Sequence, residues 1–121
     1  SHTYRVAEDD TYLTLVEGED RRQGVKRYFM AYAADTLAGE WSPIATTPAE
    51  PFAGAANVAF AAETWSDHIS HGEFVRQSGD ETLTVSLADL RMVYQGVHHE
   101  EFAGRRYGDI PWRIGLLRRD R

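Results

Sequence analysis

A chain of 121 residues with a formal net charge of −6 and no cysteine is one domain's worth of polymer, large enough to bury a core without staples. The acidic balance disfavours nucleic acid or an anionic membrane as partner, no apolar run reaches transmembrane length, and the missing thiols exclude disulfide and thiolate chemistry. With 42% apolar residues, three Trp and six Tyr, the composition is globular and not disordered.

The first predicted elements are short strands separated by turns. "TYRVA" (3–7) is followed by the turn "EDD" and by "TYLTLVEG" (11–18). In that second strand Tyr12, Thr14 and Val16 share one face, and Leu13, Leu15 and Glu17 the other. Both faces are largely apolar or aromatic, which predicts a central position in a sheet. "GEDRRQG" (18–24) reads as a charged hairpin loop, and "VKRYFMAYAA" (25–34) as the returning strand. "DTLAGEWSPI" (35–44) is a loop into a short edge strand, with Trp41 plugging a core. The stretch 45–65 is rich in Ala, Gly, Pro and Thr; its prolines and Gly54 argue for a packed connection and against a helix.

The second half repeats the rhythm with "GEFVRQ" (72–77), "ETLTVS" (81–86), "LRMVYQG" (90–96) and "PWRIGLLRR" (111–119). "SLADLRM" has the makings of one helical turn, although Val93 and Tyr94 favour strand. The expectation is an all-β unit of two antiparallel four-stranded meanders, about 1–45 and 55–119. Such halves suggest propeller blades, and a sandwich fits the same string nearly as well. The terminal "RRDR" reads as a solvated tail, and no leader is expected from Ser1 onward.

Several longer words occur in one order: "YLTLVEG" (12–18), "RYFMAYAADTLAGEWSPIA" (27–45), "PFAGAANVAF" (51–60), "DHISHGE" (67–73), "LRMVYQG" (90–96) and "YGDIPWRIGLL" (107–117). Together they resemble the C-terminal portion of glycoside hydrolase family 62, the α-L-arabinofuranosidases. The resemblance implies about the last two blades of a five-bladed β-propeller. It also implies a secreted, inverting enzyme that removes arabinofuranose side chains from arabinoxylan, with a metal, usually calcium, near the propeller axis. Inversion needs a carboxylic acid and a carboxylate base roughly 6.5–9.5 Å apart. On the resemblance all three catalytic carboxylates lie before Ser1, so no catalytic residue is expected in this chain. Two departures are visible: Ala88 stands where members commonly carry Cys, and the 18–27 loop is longer than usual.

His71 matches the histidine that the family places by the metal, and its plain alternative is a strand histidine bonded to a backbone carbonyl. Calcium prefers oxygen, so one histidine needs waters to complete a shell. Glu73, two residues on along a strand, shares its face and is a candidate to orient it, or else an exposed or ion-paired residue. Tyr107 matches a tyrosine that closes over the arabinose, since a ring face suits sugar C–H surfaces; the alternative is a loop anchor on Trp112. The family often has Asn where Gly108 stands. Arg113 is a candidate for sugar hydroxyls or for a salt bridge in the last blade. Glu17, near Asp35 and Asp67 in shared words, invites a glycosidase reading, but the resemblance makes it structural support. His98, His99, Glu100 and Glu101 read as a solvated loop.

The leading expectation is therefore part of an arabinofuranosidase that contributes a metal histidine and a sugar-covering tyrosine. The alternative is a non-catalytic β module that binds carbohydrate weakly or self-associates through exposed blade faces.

Overall fold

The structure is a computed structural model and describes residues 1–120. Strands β1 (His2–Val6), β2 (Thr11–Asp20), β3 (Lys26–Ala34) and β4 (Ser42–Ala45) form the expected antiparallel meander. β2 lies between β1 and β3, as its two covered faces predicted, with Leu13 and Leu15 turned into the core. The β2–β3 hairpin is longer than expected, since pairing runs out to Asp20 and Lys26. Gly24 takes the left-handed conformation that its turn requires.

The connection 45–65 holds no helix. It packs by lending its backbone to β3: Phe29 N–H donates to the Ala53 carbonyl at 2.8 Å, and Phe52 N–H donates to that of Phe29 at 2.9 Å. The Asn57 amide donates to the Pro51 and Phe52 carbonyls, satisfying groups that the prolines and glycine leave unpaired.

The second half departs from a four-stranded meander at one point. β5 (His68–Phe74), β7 (Arg91–Val97) and β8 (Arg113–Arg118) form a three-stranded antiparallel sheet in the order β5-β7-β8. β6 (Thr84–Val85) leaves it and pairs in parallel with β1, which makes the first sheet five-stranded. The reason is an open edge. Arg5 and Ala7 present N–H groups outward, and the carbonyls of Leu83 and Val85 accept them at 3.3 and 2.9 Å. Val85 becomes fully buried by this move. The turn between β1 and β2 holds the same segment, because the Glu8 carboxylate accepts from the Ser86 hydroxyl and from the N–H groups of Leu87 and Ala88. Those three donors hold its pKa well below the usual carboxylate value. "SLADL" does make a single helical turn, a 3-10 turn at Leu87–Asp89, before β7 begins.

One core joins the two sheets. Tyr4, Leu15 and Phe29 of the first pack with Ile69, Phe74, Met92 and Tyr94 of the second, and with Val85 on β6. Beyond β7 the chain forms a single turn of helix, α1 (His99–Phe102), and a 3-10 turn at Tyr107–Asp109. Among the described residues no helix is long and apolar enough to cross a membrane.

Candidate functional site

The site begins with an irregularity in β5. Ser70 pairs with Gln95 and Glu73 with Val93, so His71 and Gly72 together stand against Tyr94. That is a β-bulge, a device that re-aims a side chain. His71 sits at φ +40°, in the left-handed region that few residues with a side chain adopt. Gly72 is needed beside it: a Cβ there would lie 2.3 Å from the Met92 methyl and 3.0 Å from the Val93 carbonyl.

A half-buried carboxylate underlies the bulge. One oxygen of Glu17 accepts the His71 N–H at 2.8 Å. The other accepts the Ser70 hydroxyl at 2.8 Å and the Arg27 guanidinium at 2.7 Å. Burial alone would raise the Glu17 pKa, but the donors from His71, Arg27 and Ser70 outweigh it and hold the group ionised. An ionised carboxylate with both oxygens engaged is a poor proton donor, which agrees with reading Glu17 as support.

The His71 ring is placed by β7 and by the loop before β8. Its Nδ1 lies 2.9 Å from Gln95 Oε1 and 3.4 Å from the Tyr107 hydroxyl. With the amide oxygen facing it, Nδ1 is the donor of that contact, and in the neutral ring this leaves the lone pair on Nε2. Trp112 backs both His71 and Tyr107, with ring centroids 6.3 Å from each. The Tyr107 ring is exposed. It packs against Trp112, as its anchor alternative expects, and also stands beside His71.

Glu73 and Arg113 are placed differently. Glu73 is exposed like His71, with buried Gly72 between them, as strand alternation predicts. The ring contacts of His71 come instead from Gln95 and Tyr107, because the bulge turns the imidazole across toward β7. Arg113 pairs in register with Gly96, next to Gln95, and so projects from the other face of the sheet. There it donates to Glu101 at 2.9 Å and lies 5.8 Å over the Trp65 ring, which realises its salt-bridge alternative.

The expectation for 98–101 needs correction. His99 is half-buried, not a solvated loop residue. Its Nδ1 lies 3.0 Å from Nε2 of His68, the two rings stack at 5.3 Å, and the Asp67 carboxylate accepts the His99 N–H at 2.6 Å. The apolar Phe102 at the end of α1 pulls this segment inward against His68. Neither His68 nor Gln95 was singled out in the sequence, and Trp112 was named only as an anchor for Tyr107. The pairing of Gln95 with Ser70 would have flagged it, had the register of β5 and β7 been known.

No group of three or more His, Cys, Asp or Glu side chains among the described residues has the arrangement to hold a metal ion.

The same order of strands and loops occurs in known proteins. The sequence model of glycosyl hydrolase family 62 matches residues 1–118. The chain belongs to this family. It is 38% identical over 118 residues to alpha-L-arabinofuranosidase C of Cellvibrio japonicus, covering 98% of this chain and 18% of that protein. It superposes with a TM-score of 0.88 and 37% identity on the catalytic domain of the family 62 α-L-arabinofuranosidase of Coprinopsis cinerea, covering 97% of this chain and 36% of that one. A family 62 hydrolase solved with xylotriose gives a TM-score of 0.88 at 38% identity, covering 98% and 36%. The α-L-arabinofuranosidase of Podospora anserina, solved with cellotriose, gives 0.87 at 33%, covering 99% and 36%. These structural neighbours are β-propeller domains, and the family 62 chain described here spans about a third of them. Arabinofuranosidase activity holds at the level of the family.

Proposed function

We propose that this chain forms one wall of the arabinose site in an inverting α-L-arabinofuranosidase acting on arabinoxylan. The observation that carries the reading is the meeting of His71, held in a left-handed bulge, with Tyr107 on the Trp112 ring. Backbone strain of that kind persists where the surroundings over-determine it, and it clusters at functional sites. Tyr107 offers a ring face to sugar C–H groups and a hydroxyl to a sugar oxygen. His71 Nε2 offers a lone pair to calcium, with waters and groups from outside the chain filling the shell. The relatives solved with xylotriose and cellotriose support a carbohydrate ligand. A polymeric substrate favours a secreted protein.

The acid and base are assigned to no residue of this chain. On its own it is expected to release no arabinose from an aryl arabinofuranoside. An enzyme that contains these residues is expected to release arabinose from arabinoxylan with the anomeric configuration inverted, as NMR of the first product reads before mutarotation. Retention of configuration, or turnover by the purified chain alone, would overturn the assignment. In that enzyme Tyr107→Ala should lower kcat/KM about tenfold, the equivalent of about 1.4 kcal/mol of lost contact.

A second reading has its own observation. β8 is an edge strand with Ile114 and Leu116 exposed, next to exposed Val93 on β7. An apolar edge of this sort templates pairing with another chain. The isolated chain is accordingly expected to self-associate, with light scattering that rises with concentration and falls on Ile114→Lys. A monomer at every concentration tested would remove this reading.

A further inference from the structure

We propose that Glu17 is a positioning residue for His71. It fixes the backbone bulge, while Gln95 fixes the ring, so that Nε2 is presented to the site as a bare lone pair. The proposal rests on the reading of His71 as a site residue and adds what holds it there.

The bulge has to be held from two sides. On the β7 side Gly72 allows close approach, with Met92 and the Val93 carbonyl filling the space a Cβ would occupy. On the other side only a strong acceptor compensates a histidine at φ +40°, since a conformation of this kind costs of order 1–3 kcal/mol. Glu17 is that acceptor. It reaches across from β2 to take the His71 N–H, a group that the bulge leaves without a ladder partner. The same carboxylate takes the hydroxyl of Ser70, so two successive residues of β5 are tied to it. Arg27, on the adjacent strand β3, supplies the countercharge that lets Glu17 stay ionised while half-buried.

Gln95 does the second part. Ser70 and Gln95 are paired in register, so the residue anchored by Glu17 stands opposite the one that receives the ring. If the bulge relaxed toward ordinary strand geometry, the side chain of residue 71 would leave the Gln95 side chain. The ring would then lose its fixed tautomer. Glu17 bonds the backbone N–H of His71 and makes no hydrogen bond to its ring, so it positions the residue through the bulge, with a lesser charge–charge interaction beside it.

The test uses the full-length enzyme that contains this chain, with Glu17→Gln, Glu17→Ala, His71→Ala and the Glu17→Ala/His71→Ala double variant. Glu17→Gln keeps the volume, so a folded comparison exists even if the alanine variant is unstable. Ring-nitrogen NMR of His71 is expected to show one tautomer, protonated at Nδ1, in the parent. In the Glu17 variants it should show an averaged mixture. Activity should fall about 10- to 100-fold on loss of such a supporting contact. The double variant should be no worse than His71→Ala, because both changes remove the same arrangement. Losses that simply add, or an unchanged His71 tautomer in the Glu17 variants, would overturn the proposal. A shifted tautomer with full activity in every variant would support the positioning by Glu17 and instead remove His71 from the functional site.

Discussion

Phe74→Ala is expected to destabilise the fold by about 3–5 kcal/mol, the usual cost of deleting a buried phenylalanine ring. Phe74 is 2% exposed and ends β5. Its ring lies 4.8 Å from that of Tyr4 on β1 and 5.7 Å from that of Phe52 in the connection after β4. Its backbone N–H also donates to the Tyr4 hydroxyl at 3.1 Å. One residue therefore joins the second sheet to the first through both ring packing and a buried hydrogen bond. Removing the ring leaves a cavity that a sheet-to-sheet contact cannot close without moving a whole strand. Urea unfolding reads the loss directly, and Val93→Ala on an exposed position of β7 should stay within about 0.5 kcal/mol. A loss below about 1 kcal/mol for Phe74→Ala would mean that the two sheets do not share one core.

The first sheet was legible because its signal is local. Alternation in "TYLTLVEG" and "VKRYFMAYAA" defines two long strands, and the charged word between them defines the hairpin. β6 was not legible. A two-residue strand carries no period, and its partner β1 lies near the other end of the chain, where only the unpaired N–H groups of Arg5 and Ala7 call for it. The site divides in the same way. His71 and Tyr107 were named through the family resemblance, and the structure brings them together. Spacing along the strand puts Glu73 on the exposed side of β5 with His71, as observed, but it cannot foresee that the bulge turns the His71 ring to Gln95 and Tyr107. Arg113 was chosen for its chemistry, and the register of β8 sends it to Glu101 on the opposite face. Glu17 reads as structural support in the sequence, though nothing in its own strand tells that it accepts the backbone N–H of His71. The pair at 98–99 looked solvated because its partner His68 lies 31 residues earlier than His99.

His68 of that pair is expected to make the stability of the fold fall in acid. His68 is fully buried, and its Nδ1 accepts the Arg27 N–H at 3.1 Å, so that nitrogen has to stay unprotonated. Its Nε2–H then donates to Nδ1 of His99. The ring is closed in by Phe102 at 4.1 Å and by the edge of Trp112 at 6.3 Å. Burial is the main force that lowers its pKa from 6.5 to about 4; His99, Arg27 and Lys26 add to it, and only Asp67 opposes. The unfolded chain binds this proton near pH 6.5 and the folded chain not until about pH 4, so the unfolded state holds more protons between those values. The contribution is thus complete above the unfolded value and is lost as pH falls through the window. The full shift is worth about 3 kcal/mol. Urea unfolding from about pH 7 down to about pH 4 is expected to show stability falling for the parent chain. His68→Phe should start lower, because the Arg27 N–H loses its acceptor, but its curve should be flatter across the same window. The difference between the two curves isolates this ring from carboxylates such as Glu17, which titrate in both. Parallel curves would show that His68 is not held neutral by the fold.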